Sequence, residues 1–256
     1  MLALDKWYLD CVSPDGDLLI CYSAKLRWGP IRLCYGARIV KPAKGPLTQR
    51  QSFFPGHAHE EPGAITWSND RLGIQGAWTG GAPLAETTVV DEPSGVIVWR
   101  CLGANCAANI HIDGQRITGT GYVEELSMTI PPWKLPFTDL RWGRYISEDR
   151  GDYAVWIDLR GGTSRNWIWI GSDQTPGTVD DDGVHASGAS LTFEASQPVR
   201  SENVARTLLG PFEFLKTLLP RQLGAIREDK QISSCVLTAD GLTSRGFSVN
   251  EVVSWR

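Results

Sequence analysis

Carboxylates set among aromatic residues give this sequence its clearest prospect of chemistry. Residues 119–160 read GTGYVEELSMTIPPWKLPFTDLRWGRYISEDRGDYAVWIDLR. Two runs in this stretch alternate with period two, so each sorts its side chains onto opposite faces of a strand. Along 120–128 one face carries Thr120, Tyr122, Glu124, Leu126 and Met128, and the other Gly121, Val123, Glu125 and Ser127. The first face is the more apolar, which puts Glu124 inside and Glu125 outside. Along 152–160, Tyr153, Val155, Ile157 and Leu159 read as a core face, and Trp156 and Asp158 share the other. Between the two runs, Pro131 to Pro136 form a rigid connection bearing Trp133. Arg141-Trp142-Gly143-Arg144-Tyr145 then puts two cations and two aromatics on one strand.

A carboxyl group desolvated among aromatics holds its proton more tightly and can act as a general acid. Tryptophan faces stabilise a nearby cation by about 1–2 kcal/mol each when water is excluded. Together these suit protonation of an alkene or polyene and a carbocation in a dry pocket. The expectation is that Glu124 or Asp158 is the acid. Tyr122, Trp133, Arg141, Trp142 and Trp156 then line a common cavity, in the second half or where the halves join. The same pocket could bind an apolar ligand with no reaction, as a carrier does. A third reading, a sugar-binding module, requires exposed aromatics, and most of the tryptophans lie in core-like runs. The structural alternative is a buried carboxylate paired with Arg141 or Arg144, with the tryptophans as packing.

The elements that must position these residues are strands. Alternating apolar runs, bounded by Gly, Pro, Asp and Asn, recur about fourteen times by the usual strand template. Ser13-Pro14-Asp15-Gly16-Asp17, Asp113-Gly114, Asp182-Gly183 and Asp240-Gly241 are turn signals between them. This predicts an all-β sandwich or barrel. A soft boundary near Gly119 divides it into halves 1–118 and 119–256. One segment differs. Residues 202–219 carry Val204, Leu208, Leu209, Phe212, Leu215 and Leu218 at helical spacing, with Ser201 placed to cap the first turn. The Pro- and Gly-rich stretch 41–62 and the Asp-rich stretch 171–184 read as loops.

Composition excludes several classes. The 256 residues carry a formal net charge of -4, which lacks the basic excess of a nucleic-acid binder. No apolar run approaches the roughly 18 residues of a membrane span. The start MLALDKWYLD has no signal-peptide layout, and a cytoplasmic location is expected. The six cysteines form no Cys-x-x-Cys pair and read as small buried hydrophobes. His57-Ala58-His59-Glu60-Glu61 offers two imidazoles on one face but no third metal ligand, and Asp180-Asp181-Asp182 lacks calcium-loop spacing. No nucleophile elbow, phosphate loop or dinucleotide fingerprint occurs, so no metal and no cofactor is expected. The expected partner is a hydrophobic small molecule.

Several short motifs resemble one group. Lys6-Trp7-Tyr8-Leu9-Asp10 followed by Asp15-Gly16, then Gly121-Tyr122-Val123-Glu124, then Gly246-Phe247-Ser248-Val249-Asn250-Glu251-Val252-Val253 are similar to the lipocalin-like superfamily. That superfamily holds the carotenoid 1,2-hydratases (hydroxyneurosporene synthases), the AttH-like proteins and the lipocalin-like pericyclases. The resemblance implies two lipocalin-like β-barrels or curled sheets and an apolar ligand site. It implies a lyase, isomerase or cyclase working without a cofactor. In the hydratases the second motif runs on into His-x-Trp, where Glu125, Leu126 and Ser127 stand here. Trp156-Ile157-Asp158 is placed to match their later Tyr-x-Asp. In the closing strand Asn-Glu replaces the usual His-Glu or Tyr-Glu.

Overall fold

The computed structural model describes residues 2–81, 83–203 and 226–255. Its described residues are almost entirely strand, arranged as two curled antiparallel sheets. The first is built from β1 (Leu2–Val12), β2 (Leu18–Trp28), β3 (Ile31–Lys41), β4 (Thr48–Ser52), β5 (His57–Glu61), β6 (Ala64–Asn69), β7 (Ile74–Thr79), β8 (Ala85–Glu92), β9 (Gly95–Ile112) and β10 (Gln115–Met128). The second is built from β11 (Asp139–Ser147), β12 (Tyr153–Arg160), β13 (Arg165–Ile170), β14 (Asp173–Gln174), β15 (Gly177–Val179), β16 (Gly183–Ala186), β17 (Ala189–Asn203), β18 (Ile226–Ala239) and β19 (Leu242–Trp255).

Both sheets have the same plan. The first runs β4-β3-β2-β1-β10-β9-β7-β6-β5, with β8 also pairing β9. The second runs β14-β13-β12-β11-β19-β18-β17-β16-β15. In each, the opening strand lies between the second strand and the last. Sharp hairpins join the long strands. Asp113-Gly114 and Asp240-Gly241 have φ of 48°, 82° and 51°, 75°. Two successive positive φ values make the turn whose twist matches antiparallel strands, and Asp-Gly tolerates it best.

Each sheet buries one aromatic-rich core. In the first, Trp67, Trp78, Leu9, Leu19, Ile110 and Val123 pack together. In the second, Tyr145, Trp156, Ile168, Val184, Leu191 and Leu237 do so. Trp156 therefore belongs to the inner core. The face expected to be the core of β12 is buried as well: Val155, Ile157 and Leu159 are all at most 3% exposed. A strand covered on both sides does not reveal its inner face by alternation.

Three expectations need correcting or bounding. The compact units are Met1–Pro131 and Pro132–Arg256, so the division expected at 118/119 falls inside β10, whose residues pair with both β1 and β9. The stretches read as loops hold β4 and β5 in 41–62, and β14, β15 and the start of β16 in 171–184. Ser201, expected as a helix cap, and Glu202 and Asn203 are extended in β17, paired with Asp229, Glu228 and Arg227. The rest of the helical segment expected at 202–219 lies outside the described residues.

Candidate functional site

In the first unit two motifs far apart in sequence meet strand against strand. Tyr8 lies opposite Glu124, and Asp10 opposite Tyr122. All four are buried. On each strand the tyrosine donates to the acid two residues on. Tyr8 Oη reaches Asp10 Oδ2 at 2.8 Å, and Tyr122 Oη reaches Glu124 Oε2 at 2.9 Å. Trp99 Nε1 adds a third bond, to Glu124 Oε2 at 2.5 Å. The Tyr8 ring packs edge-on against Tyr22 and Tyr122, with centroids 5.4 and 6.1 Å apart. Glu124 thus accepts twice on one oxygen. Burial pushes the Tyr122 phenol well above its ordinary range, with Cys101 and Glu124 adding to the effect, so it stays a donor.

A double register shift in the β9–β10 ladder places Glu124. Gly121 pairs with Cys106, Val123 with Gly103, and Glu124 with Cys101. A slip of one residue would turn every side chain to the other face, and two slips restore it. Trp99 and Cys101 then share the Glu124 face, while Glu125 falls opposite Arg100 on the other and takes its Nε–H at 2.9 Å. The inside and outside assignments of Glu124 and Glu125 agree with this arrangement. Replacing Tyr122 by Phe takes one donor from a buried carboxylate and should cost about 1–3 kcal/mol, read as a lower urea midpoint at constant m-value.

The second unit holds a cavity of about 120 Å³. Its wall includes Arg141, Trp156, Phe193, Ser196, Gln231 and Asn250, and Asp180 and Asp181 border it. The rings of Trp156 and Phe193 are 5.9 Å apart and tilted by 33°. Asn250 is fixed by bonds from its Nδ2 to Ser248 Oγ at 3.0 Å and Ser233 Oγ at 3.2 Å. Arg141 Nη1 donates to Asp181 Oδ1 at 2.6 Å, and its Nε lies 3.8 Å from Asp139. Asp180 holds the turn beside it by accepting the backbone N–H groups of Asp182 and Gly183, both at 2.9 Å.

Asp158 lies two residues beyond Trp156 on the same face of β12, opposite Arg141 on β11. It is 7% exposed and accepts from Arg160 Nε at 2.6 Å. Burial raises its pKa above the ordinary 3.8, against the lowering pull of Arg160 and Arg141. The sign for stability follows. A carboxyl with a raised folded pKa binds more protons folded than unfolded. Stability therefore falls as pH rises from about 3.8 through the raised value, and the loss is complete above it. Asp158→Asn should remove this fall, seen as a flatter profile of melting temperature against pH than in the wild type.

The expected residues divide between the two units. Tyr122 and Glu124 stand on the first sheet, and Trp133, Arg141, Trp142, Trp156 and Asp158 belong to the second unit. Arg141, Trp142 and Trp156 border the cavity. Trp133 is half-buried in a short 3-10 turn at Pro132–Lys134, away from the cavity wall. The sequence reading named Asp10 and Glu251 only within the opening and closing motifs and gave them no role, and it passed over Trp99, Phe193 and Lys230, which with Glu251 forms a buried ion pair in the second sheet. There Glu251, opposite Trp142, accepts from Lys230 Nζ, which also sits 5.1 Å from the Trp142 ring centroid. Asn250 and Glu251 thus face opposite sides of β19. The Asn-Glu of the closing motif was the available signal. His57 and His59 share one face of edge strand β5, and His59 Nε2 lies 3.4 Å from Glu61. Among the described residues no three His, Cys, Asp or Glu side chains gather where a metal could be held. Also among them, no helix is long and apolar enough to cross a membrane.

The fold is the lipocalin-like one that the sequence resemblance implies. The chain is similar to an AttH-like protein from Nitrosomonas europaea, with a TM-score of 0.60 and 11% identity over 99% of this chain and 92% of that one. It is similar to kievitone hydratase from Nectria haematococca, with a TM-score of 0.59 and 8% identity over 98% and 88%. It is also similar to CghA, with a TM-score of 0.58 and 12% identity over 98% and 88%. No family model and no curated relative matches the sequence.

Proposed function

We propose that the chain is a cofactor-independent enzyme acting on an apolar, polyene-like small molecule, with Asp158 as the acid. The observation that carries this reading is a buried carboxyl that holds its proton more tightly than usual, which does not itself line the cavity but lies opposite Arg141 and two residues from Trp156, both of which do. The cavity would take the reacting end of a longer molecule. The Asp158 proton adds to an alkene carbon and leaves a cation against the aromatic faces. Water then adds and its surplus proton returns to the carboxylate, giving an alcohol. Alternatively a second alkene attacks the cation, forming a carbon–carbon bond and a new cation; a carbon beside the cation, first or new, then loses its proton to the carboxylate, giving an isomerised or cyclised product. The name of kievitone hydratase, which shares the fold, supports the first course. Glu124, whose Oε2 accepts from Tyr122 and Trp99, is assigned no proton-donating step.

A second reading, a carrier for an apolar ligand, draws on one specific contact. The bond from Arg160 to Asp158 is the geometry of a structural ion pair. The two readings separate experimentally. Ligand is extracted from purified protein, identified by mass spectrometry, and returned to wild type and Asp158→Asn. An enzyme shows a product with water added or lost, or an isomer of equal mass, formed by the wild type and at least a hundredfold more slowly by the variant, in line with the usual worth of a general acid. Unchanged ligand with both proteins leaves the carrier.

A further inference from the structure

A polar stripe crosses the aromatic core of the second sheet on three neighbouring strands. Ser196 on β17 lies opposite Ser233 on β18, Ser233 lies opposite Ser248 on β19, and Gln231 lies opposite Asn250. Ser233 and Ser248 are at most 1% exposed. Their hydroxyls are used within the stripe. Ser196 Oγ and Ser233 Oγ are 2.7 Å apart, and Ser233 and Ser248 both accept from Asn250 Nδ2. A slip in the β17–β18 ladder between Phe193 and Ala195 turns Ser196 to the side of Phe193. Strict alternation would part these two, yet both border the cavity, with Trp156, Gln231 and Asn250. Two groups of the stripe are left over. Among the described residues neither Asn250 Oδ1 nor the Gln231 side-chain amide has a hydrogen-bond partner, and neither is sealed inside the protein.

We propose that Asn250 and Gln231 bind a hydroxyl group of the ligand, so that the substrate is an alcohol, phenol or enol with an apolar body and not a plain hydrocarbon. This rests on the cavity being the ligand site of the proposed enzyme, and it names the substrate class. Cross-strand partners on one face have Cβ atoms about 5 Å apart, so one small group can bond to both. A hydroxyl donates to Asn250 Oδ1 and accepts from Gln231 Nε2. An ether oxygen has no proton for Asn250, and an apolar end would desolvate both amides with nothing in return. The two serines fix the Asn250 amide before the ligand arrives, which lowers the cost of binding. A few placed polar groups in an otherwise apolar pocket are what orient a small molecule.

The test is equilibrium dialysis of the full chain with 2-naphthol, 2-methoxynaphthalene and 2-methylnaphthalene. These share one apolar body and end in a hydroxyl, an ether and a methyl group. Burial alone favours the methyl compound, because its relatives lose more hydration. The wild type should reverse that order and bind 2-naphthol about tenfold more tightly than either of the others, the usual effect of pairing polar groups otherwise left bare. Gln231→Met keeps volume and removes no bond within the protein, so its melting temperature should match the wild type. It should weaken 2-naphthol about fivefold, the loss of one hydrogen bond, and leave 2-methylnaphthalene at least as tight. Asn250→Leu removes the acceptor, so 2-naphthol should then bind no better than 2-methoxynaphthalene, whatever happens to stability. A wild type that binds 2-naphthol no better than 2-methylnaphthalene, or a preference indifferent to either substitution, overturns this inference alone, since the cavity would still take an apolar ligand. Absence of binding by all three compounds overturns it together with the proposed function.

Discussion

Glu251→Ala should destabilise the protein by about 3–5 kcal/mol, the usual consequence of removing one partner from a buried ion pair. Lys230 is 1% exposed and Glu251 8% exposed. The ammonium donates to Glu251 Oε2 from the adjacent strand and lies above the Trp142 ring. Without the carboxylate, a strongly hydrated cation stays out of water with one charged partner fewer to offset its desolvation. Glu251→Gln keeps an acceptor and should fall between wild type and alanine. The double variant Lys230→Met with Glu251→Leu removes both charges and keeps volume, so it should recover most of the loss. Urea unfolding at constant m-value measures all of these. A double variant as unstable as Glu251→Ala alone would show that packing, not the uncompensated charge, governs the site.

How much of this was legible beforehand depended on what each strand faces. Along 120–128 one face is aromatic and apolar and the other polar, so alternation put Glu124 inside and Glu125 out. That pattern also drew attention to Tyr122. It could not give register. The pairing of Tyr8-x-Asp10 with Tyr122-x-Glu124 joins residues more than a hundred positions apart, and the two slips in β9 that bring Trp99 to Glu124 leave no mark in composition. β12 is buried on both sides, so period two could not choose its inner face. β4 (TQRQS) and β5 (HAHEE) are edge strands at the two ends of the first sheet. Edge strands meet water along one side and carry polar residues that discourage further pairing, so they read as loop. Gly119 suggested a boundary in the chain where β10 runs through without interruption.

Glycine and tryptophan, with 27 Gly and 11 Trp, pack against each other in both sheets. Trp78 lies over Gly121 and donates from Nε1 to the Asp10 carbonyl at 2.7 Å. Trp156 lies over Gly143, its cross-strand partner, toward Asn250 on β19. A Cβ added at either glycine would fall inside contact distance of the indole. The missing side chain lets a large ring lie flat across the sheet, and the ring covers backbone that glycine leaves bare. Gly143→Ala should therefore cost about 1–3 kcal/mol by overpacking. Trp156→Ala should cost about 3–5 kcal/mol, because it removes a fully buried aromatic and enlarges the cavity it borders. The two losses should not add. With the indole gone the alanine methyl still lies 2.9 Å from Asn250 Cβ, so the double variant should recover much but not all of the Gly143→Ala cost, a coupling of about 1–3 kcal/mol between touching residues. Gly121→Ala with Trp78→Ala should recover less, because the added methyl would still lie 2.5 Å from the Asp10 carbonyl oxygen. Strict additivity in the Gly143–Trp156 cycle, measured by urea unfolding, would mean that the indole does not rest on the glycine.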